Sequence, residues 1–82
     1  DSDKKIRKTK NQISRIEKEI TNLETSKHEL DQKLANPVLF KELTKDPTFF
    51  KNYEIQTMKM KSKEREWEDL VSILNNLENN EN

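Results

Sequence analysis

The first part of the chain repeats apolar residues with the spacing of a coiled-coil helix. From Ile6 onwards they recur at steps of three, four or seven residues, which places them on one helix face. The a positions of this heptad pattern hold Ile6, Ile13, Ile20, Lys27 and Leu34, and the d positions hold Thr9, Ile16, Leu23 and Leu30. Seven of the nine are Ile or Leu, so the pattern predicts a long amphipathic helix over about residues 4–35.

Two short motifs predict where the helices begin and end. Asn36-Pro37 and Asp46-Pro47 each join a capping side chain to a proline, which ends one helix and fits the first turn of the next. We therefore expect a tip over about residues 36–46, with a short helix through about Leu43. A second long helix follows over about residues 47–78, and the Asn-rich residues 79–82 are expected to form a frayed tail.

The second long helix has its own predicted row of inward-facing positions. That row holds Phe50, Tyr53, Thr57, Met60, Glu64, Trp67, Val71 and Leu74, flanked by Leu70, Ile73 and Leu77. Because the tip is short, two helices of one chain must run antiparallel, and folding at about residue 42 brings Ile16 near Trp67. Pairing between two chains is the alternative, and the proline-bounded tip favours pairing within one.

The predicted fold class is all-α, with one domain over residues 1–82 folded as an antiparallel two-stranded coiled-coil hairpin with a short helical, proline-bounded tip. We expect a monomer. The predicted core comprises Ile13, Ile16, Ile20, Leu23, Leu30, Leu34, Phe50, Tyr53, Met60, Trp67, Val71 and Leu74. The register favours a buried Trp67 over an exposed indole on which a nucleic-acid base could stack.

The composition excludes several classes of function. The 82 residues contain no Gly and no Cys, so the chain has no glycine-rich phosphate loop, no disulfide and no thiolate metal site. Its longest apolar run, Val38-Leu39-Phe40, is far too short to span a membrane. His28 is the only imidazole, and we interpret it as a solvated surface residue rather than a metal ligand. We expect no catalytic pair, no metal and no enzymatic activity in this chain.

Charge is balanced overall but unevenly distributed. Sixteen basic and sixteen acidic residues give a formal net charge of zero. Five cations nevertheless fall within seven residues near the start: Lys4, Lys5, Arg7, Lys8 and Lys10. A weaker second cluster comprises Lys59, Lys61, Lys63 and Arg65, whereas Arg15 and Lys18 alternate with Glu17 and Glu19 as in an ordinary solvated helix. The first cluster is either such a solvated face or a surface that binds nucleic-acid phosphates without reading sequence.

The order of these motifs resembles the C-terminal coiled-coil domain of ABC-F ATPases of the Uup type. A basic lead-in precedes a heptad helix that closes on Leu34-Ala35-Asn36-Pro37, and Leu39-Phe40 follows. The chain then continues with Asp46-Pro47, Phe50 and the segment Glu66-Trp67-Glu68-Asp69-Leu70. The resemblance covers about residues 5–78, and the Leu-Ala-Asn-Pro break and the Trp67 segment are its most specific parts.

This resemblance implies a helical hairpin that follows the second nucleotide-binding domain of a soluble, cytoplasmic protein. It implies binding to DNA or ribosomal RNA and a parent protein that acts in translation, with ATP and Mg²⁺ bound by the upstream domains rather than by this chain. The start at Asp1 rather than Met fits this expectation of a longer parent. Two alternatives remain: the tRNA-contacting helical arm of a valyl-tRNA synthetase, and a purely structural coiled-coil spacer.

Overall fold

The computed structural model describes residues 2–80, and these form three α-helices. In chain order they are α1 (Ser2–Ala35), α2 (Pro37–Leu43) and α3 (Pro47–Asn79). The long helices thus begin and end within two residues of the positions expected from the sequence. Asn79, the first residue of the predicted frayed tail, is helical, and the Asn80 amide donates to the Asn76 carbonyl at 3.1 Å. Residues 81 and 82 of that tail lie outside the described residues.

Each Asx-Pro pair separates two helices by the same capping geometry. Asn36 is extended (φ −85°, ψ 118°), and its Oδ1 accepts hydrogen bonds from the amides of Val38 at 3.0 Å and Leu39 at 3.4 Å. Asp46 is likewise extended, and its Oδ1 accepts from the Thr48 amide at 3.0 Å. Since the first amides of a helix have no partner within it, these side chains stabilise the starts of α2 and α3.

The molecule is a thin rod. Its Cα atoms extend over 59 × 17 × 15 Å with a radius of gyration of 18.2 Å. A compact domain of this length would have a radius of gyration of about 12 Å. α1 and α3 lie side by side along the rod, and α2 packs against α1 at one end. No helix among residues 2–80 is both long enough and apolar enough to cross a lipid bilayer.

Three polar contacts establish the relative direction of α1 and α3. Tyr53 Oη donates to Asp31 Oδ1 at 3.0 Å. Nearer the open end, Lys63 Nζ lies 2.7 Å from Glu19 Oε2. Next to it, Trp67 Nε1 donates to Glu17 Oε2 at 3.3 Å. The residue numbers fall along α1 as they rise along α3, so the helices run in opposite directions at these contacts. The midpoint of each pair is residue 41 or 42, close to the predicted folding point.

The row of side chains on each long helix that faces the other, here called the seam, is only partly shielded from solvent. On α1 all nine of the heptad positions proposed above are at least partly buried, together with Glu19 and Ser26. Thr9 is the one fully buried residue among those described, at 7% exposure, and its Oγ1 donates to the Lys5 carbonyl at 2.8 Å. Two paired helices have no third layer to cover them, so the apolar residues of residues 2–80 all keep some contact with water.

On α3 the structure corrects part of the predicted seam. Phe50 is 42% exposed and Glu64 is exposed, whereas the neighbouring Phe49 and Lys63 are partly buried. The partly buried residues of α3 are Phe49, Tyr53, Gln56, Thr57, Met60, Lys63, Trp67, Leu70, Val71, Leu74 and Leu77. Four of these recur every seven residues in both versions of the seam: Tyr53, Met60, Trp67 and Leu74. The observed helix is rotated toward Phe49, whose ring lies 6.5 Å from that of Tyr53.

Candidate nucleic-acid interface

The five cations of the N-terminal cluster lie in the first turns of α1, and all five are exposed. They do not share one face. At 3.6 residues per turn, Lys4, Arg7 and Lys8 project from the side of α1 opposite the seam. Lys5 and Lys10 instead flank the seam, on either side of its first residues. The structure therefore divides the predicted cluster into three outward cations and two lateral ones.

The outward face continues beyond the predicted cluster. Lys4, Arg7 and Lys8 line one shallow surface depression together with Asn11, Gln12 and Arg15. Lys18 is fourteen residues after Lys4, close to four full turns, so it extends the same face. We call this set the cationic stripe: Lys4, Arg7, Lys8, Arg15 and Lys18. All five residues are exposed.

Two acidic residues near the stripe, Glu17 and Glu19, contact α3, and Asp3 lies in the first turn of α1. Glu19 forms the 2.7 Å ion pair with Lys63, and Glu17 accepts the hydrogen bond from Trp67. The hydrogen bond that Lys63 donates to Glu19, assisted by the negative charge of that carboxylate, raises the pKa of Lys63 above its ordinary value. Residues 4–16 contain no Asp or Glu at all. The cations of residues 4–10 therefore have no acidic residue among them, whereas Arg15 shares a depression with Glu66 and Asp69 of α3. Lys18 shares another with Glu17.

Sequence reasoning missed Arg15 and Lys18 because it judged charges by their neighbours in the chain. Lys18 stands between Glu17 and Glu19, so the local sequence is close to neutral. A helical projection separates the three residues, since Glu17 and Glu19 lie toward opposite edges of the seam. The signal that could have identified the stripe was the period of the cations, because residues 4, 8, 15 and 18 recur at intervals of whole helical turns.

The second predicted cluster does not form a comparable surface. Lys59, Lys61 and Arg65 are exposed. Lys61 and Arg65 are four residues apart and share one face of α3, whereas Lys59 projects toward another side. Lys63 is partly buried between two carboxylates, 2.7 Å from Glu19 and 3.6 Å from Glu66. These four cations are therefore divided between two sides of α3, and Lys63 is paired with carboxylates. They remain weaker candidates for phosphate contact than the stripe.

Trp67 and His28 are the two other residues considered above as possible binding or metal-ligating residues. Trp67 is partly buried and its indole nitrogen is bonded to Glu17, so the ring packs against α1. His28 is exposed. Within residues 2–80, no three His, Cys, Asp or Glu side chains are grouped so that they could hold a metal ion.

The seven exposed large apolar residues of the described chain all lie on α2 and α3. They are Val38, Leu39, Phe40, Phe50, Ile55, Met58 and Ile73. None belongs to α1, although Arg15 of the cationic stripe lines a depression that also includes Ile16 and Leu70.

Comparisons of this chain with protein-family models, with curated protein sequences and with solved structures return no match. The assignment of a function therefore rests on the surfaces of the helix pair itself.

Proposed function

We propose that the chain is a non-catalytic accessory domain, an antiparallel coiled-coil hairpin that binds nucleic acid through its phosphates. The opposite direction of α1 and α3 at three contacts and the two capped, proline-bounded turns support a hairpin closed within one chain. Such a hairpin is a single monomeric domain over residues 1–82. The depressions described on residues 2–80 are shallow and open, and we place the function on the outer surface.

The observation that carries this proposal is the excess of cations at the start of α1, where Asp3 is the only acidic residue in positions 2–16. In a chain of zero net charge, the cations of residues 4–10 outnumber the anions by five to none. A local excess of this kind binds a polyanion by releasing its condensed counterions, and the affinity falls steeply with salt. Lys4, Lys5, Arg7, Lys8 and Lys10 are the proposed phosphate contacts.

The position of these cations within α1 also favours an anionic ligand. The N-terminal end of a helix carries a partial positive charge, so Lys4 and Lys5 in the first turn oppose the helix dipole. Asp3 in the same turn compensates part of this unfavourable charge, and the cations that follow outnumber it. An anionic ligand would supply the remaining compensation, as is common where a local rule is broken at a functional site.

The parent protein proposed for this domain is a soluble, cytoplasmic ABC-F ATPase of the Uup type. The basis is the resemblance of the Leu34–Pro37 break and of the Trp67 segment to that group. Both motifs have clear structural roles here, since Asn36 caps α2 and Trp67 joins α3 to α1. Binding of ATP and Mg²⁺ would belong to upstream nucleotide-binding domains, and the rigid rod would position the basic end against DNA or ribosomal RNA in translation.

A salt-dependent binding titration tests the proposal. The chain is titrated into fluorescently labelled duplex DNA and into a structured RNA at several salt concentrations. We expect binding that weakens with salt and is nearly independent of sequence. Replacing all five proposed contacts by Gln should flatten the plot of log affinity against log salt by roughly 0.9 for each lost contact with duplex DNA. A control variant replaces four exposed lysines of the tip region by Gln: Lys33, Lys41, Lys45 and Lys51.

Two outcomes would contradict the proposal. Absence of binding at low salt would favour the structural spacer. Equal losses in the five-residue variant and in the tip control would show a general polyelectrolyte effect without a defined site. A marked preference for tRNA among the RNAs would instead favour the synthetase arm.

A further inference from the structure

We propose that the phosphate-binding surface of α1 has two halves that contact the two backbones of a double helix on either side of a groove. The first half is Lys4, Arg7 and Lys8, and the second is Arg15 and Lys18. This inference rests on the proposed function and deepens it, because it assigns two further binding residues and a class of ligand.

The spacing of the two halves matches the width of a groove. Their centres are about ten residues apart, which is roughly 15 Å along a helix that rises 1.5 Å per residue. The major groove of B-form DNA is about 12 Å wide. A helix laid across that groove would place one half over each backbone, with the flexible ends of the Lys and Arg side chains covering the small difference.

The outward residues between the two halves are uncharged and short, as expected for the part of a helix that crosses a groove without contacting the phosphates. Asn11 and Ser14 occupy the outward face there, and both are exposed and uncharged. Their short side chains do not span a groove about 8.5 Å deep, so they leave the base edges unread. The contact is therefore expected to be insensitive to base sequence, in agreement with binding through phosphates alone.

The rigidity of α1 favours a ligand whose phosphates are also fixed in space. α1 is continuous from Ser2 to Ala35, and α3 lies alongside it, so the distance between the two halves is fixed. Proteins that bind single strands usually add aromatic side chains on which the bases stack. The exposed aromatic residues of the described chain lie on α2 and α3, away from the stripe. A duplex is therefore the preferred ligand.

Two double variants that lose the same charge test the assignment. One replaces Arg15 and Lys18 by Gln, and the matched control replaces Lys41 and Lys45 by Gln. Each removes two exposed cations, and circular dichroism checks that both variants remain helical. With a labelled DNA duplex, the Arg15/Lys18 variant should lose about 1.8 units of salt slope and bind at least roughly tenfold more weakly at 0.1 M salt. The Lys41/Lys45 variant should lose less than half as much slope.

A third variant separates spacing from charge. It combines Arg15→Gln and Lys18→Gln with Asn11→Lys and Ser14→Lys, which retains the net charge and the outward face but closes the gap between the halves. We expect this variant to keep its affinity for a single strand of DNA while losing affinity for the duplex. Retention of full duplex affinity would show that the spacing of the cations is irrelevant and would overturn the proposal.

The choice of ligand distinguishes this inference from the proposed function. If the unaltered chain binds no nucleic acid, both fail. If it binds but the two double variants are equally impaired, or if single-stranded DNA binds as tightly as the duplex, the two-backbone contact is wrong and general phosphate binding stands. An RNA duplex has a deep, narrow major groove, so it should bind more weakly than the DNA duplex. Equal or tighter binding of the RNA duplex would overturn the assignment of the groove.

Discussion

The indole nitrogen of Trp67 donates a hydrogen bond to Glu17 Oε2 across the helix pair, at a distance of 3.3 Å. The ring is partly buried, so it packs against α1 while its polar edge reaches a carboxylate at the side of the seam. Glu17, Glu24 and Glu64 line a shallow cleft beside the ring together with Ile20 and Thr21. Trp67 thus combines apolar contact with a polar anchor, an arrangement typical of tryptophans at a partly wet boundary.

Replacing Trp67 should separate these two contributions. We expect Trp67→Ala to lower the free energy of unfolding by about 2–3 kcal/mol, somewhat less than for a fully buried tryptophan. Trp67→Phe keeps most of the apolar contact and loses the N–H donor, so its cost should be about 1 kcal/mol. Urea unfolding followed by circular dichroism measures both. Glu68→Ala, an exposed neighbour, serves as the control and should change stability by less than about 0.5 kcal/mol. Equal effects of all three substitutions would place Trp67 on the surface.

Phe49 and Phe50 offer an adjacent pair with different surroundings. Phe49 is partly buried, and its ring centre lies 5.6 Å from that of Phe50 and 6.5 Å from that of Tyr53. Phe50 is 42% exposed. We expect Phe49→Leu to lower the melting temperature clearly and Phe50→Leu to change it little. The order of the two melting temperatures decides which residue belongs to the seam. The reverse order would restore Phe50 to it.

The ion pair between Lys63 and Glu19 should stabilise the pairing of α1 and α3 weakly, and this stabilisation should fall as salt is added. Its two side chains are 34% and 44% exposed, so solvent screens much of their attraction. A double-mutant cycle with Lys63→Gln and Glu19→Gln should give a small favourable coupling that shrinks as salt is added. Because the pKa of Lys63 is raised, this stabilisation is complete below its ordinary pKa of 10.5 and is lost as the pH rises through the higher folded value. The same cycle with Lys61 in place of Lys63 should show no coupling.

Tyr53 provides a direct spectroscopic check of the contact between α1 and α3 near the tip. Its hydroxyl donates to Asp31, and that hydrogen bond, with burial and the negative charge, raises the pKa of Tyr53 above 10.0. The chain has a single Tyr, so its ionisation can be followed by ultraviolet absorbance. Asp31→Asn should shift the titration toward the ordinary value, whereas Glu54→Gln should shift it less. Since the folded pKa is raised, any stabilisation by this bond is complete below pH 10.0 and is lost as the pH rises beyond it.

The helix cap at Asn36 should contribute more to the free energy of unfolding than a typical surface residue does. Its Oδ1 accepts from the amides of Val38 and Leu39, and Ala cannot replace that oxygen. We expect Asn36→Ala to cost about 1 kcal/mol in the free energy of unfolding. Asn52→Ala is the matched control, because Asn52 is exposed within α3 and Ala has the higher helix propensity. If both substitutions have the same effect in chemical denaturation, the cap does not stabilise the start of α2.

The helices and their ends could be predicted from the sequence because they depend on local interactions. Asn36-Pro37 and Asp46-Pro47 restrict the backbone and supply caps within three residues, so no distant contact is needed to place the helix boundaries. The face of α1 that packs against α3 could be predicted in the same way, because Ile and Leu dominate its inward positions. The folding point followed from the brevity of the tip, which leaves two long helices of one chain little choice of register.

The rotation of α3 about its axis and the charges exposed on α1 became evident only from the tertiary structure, because both depend on packing between the two helices. Apolar periodicity fits two seams through Tyr53, Met60, Trp67 and Leu74, and the observed one includes the polar Gln56 and Lys63, which a search for apolar residues passes over. Lys63 is held there by Glu19 from the other helix, an interaction that no local pattern encodes. That same pairing turns Glu19 toward α3 and away from the outward face of α1. Long-range packing therefore determined which charges face the solvent, whereas the sequence alone determined where each helix begins and ends.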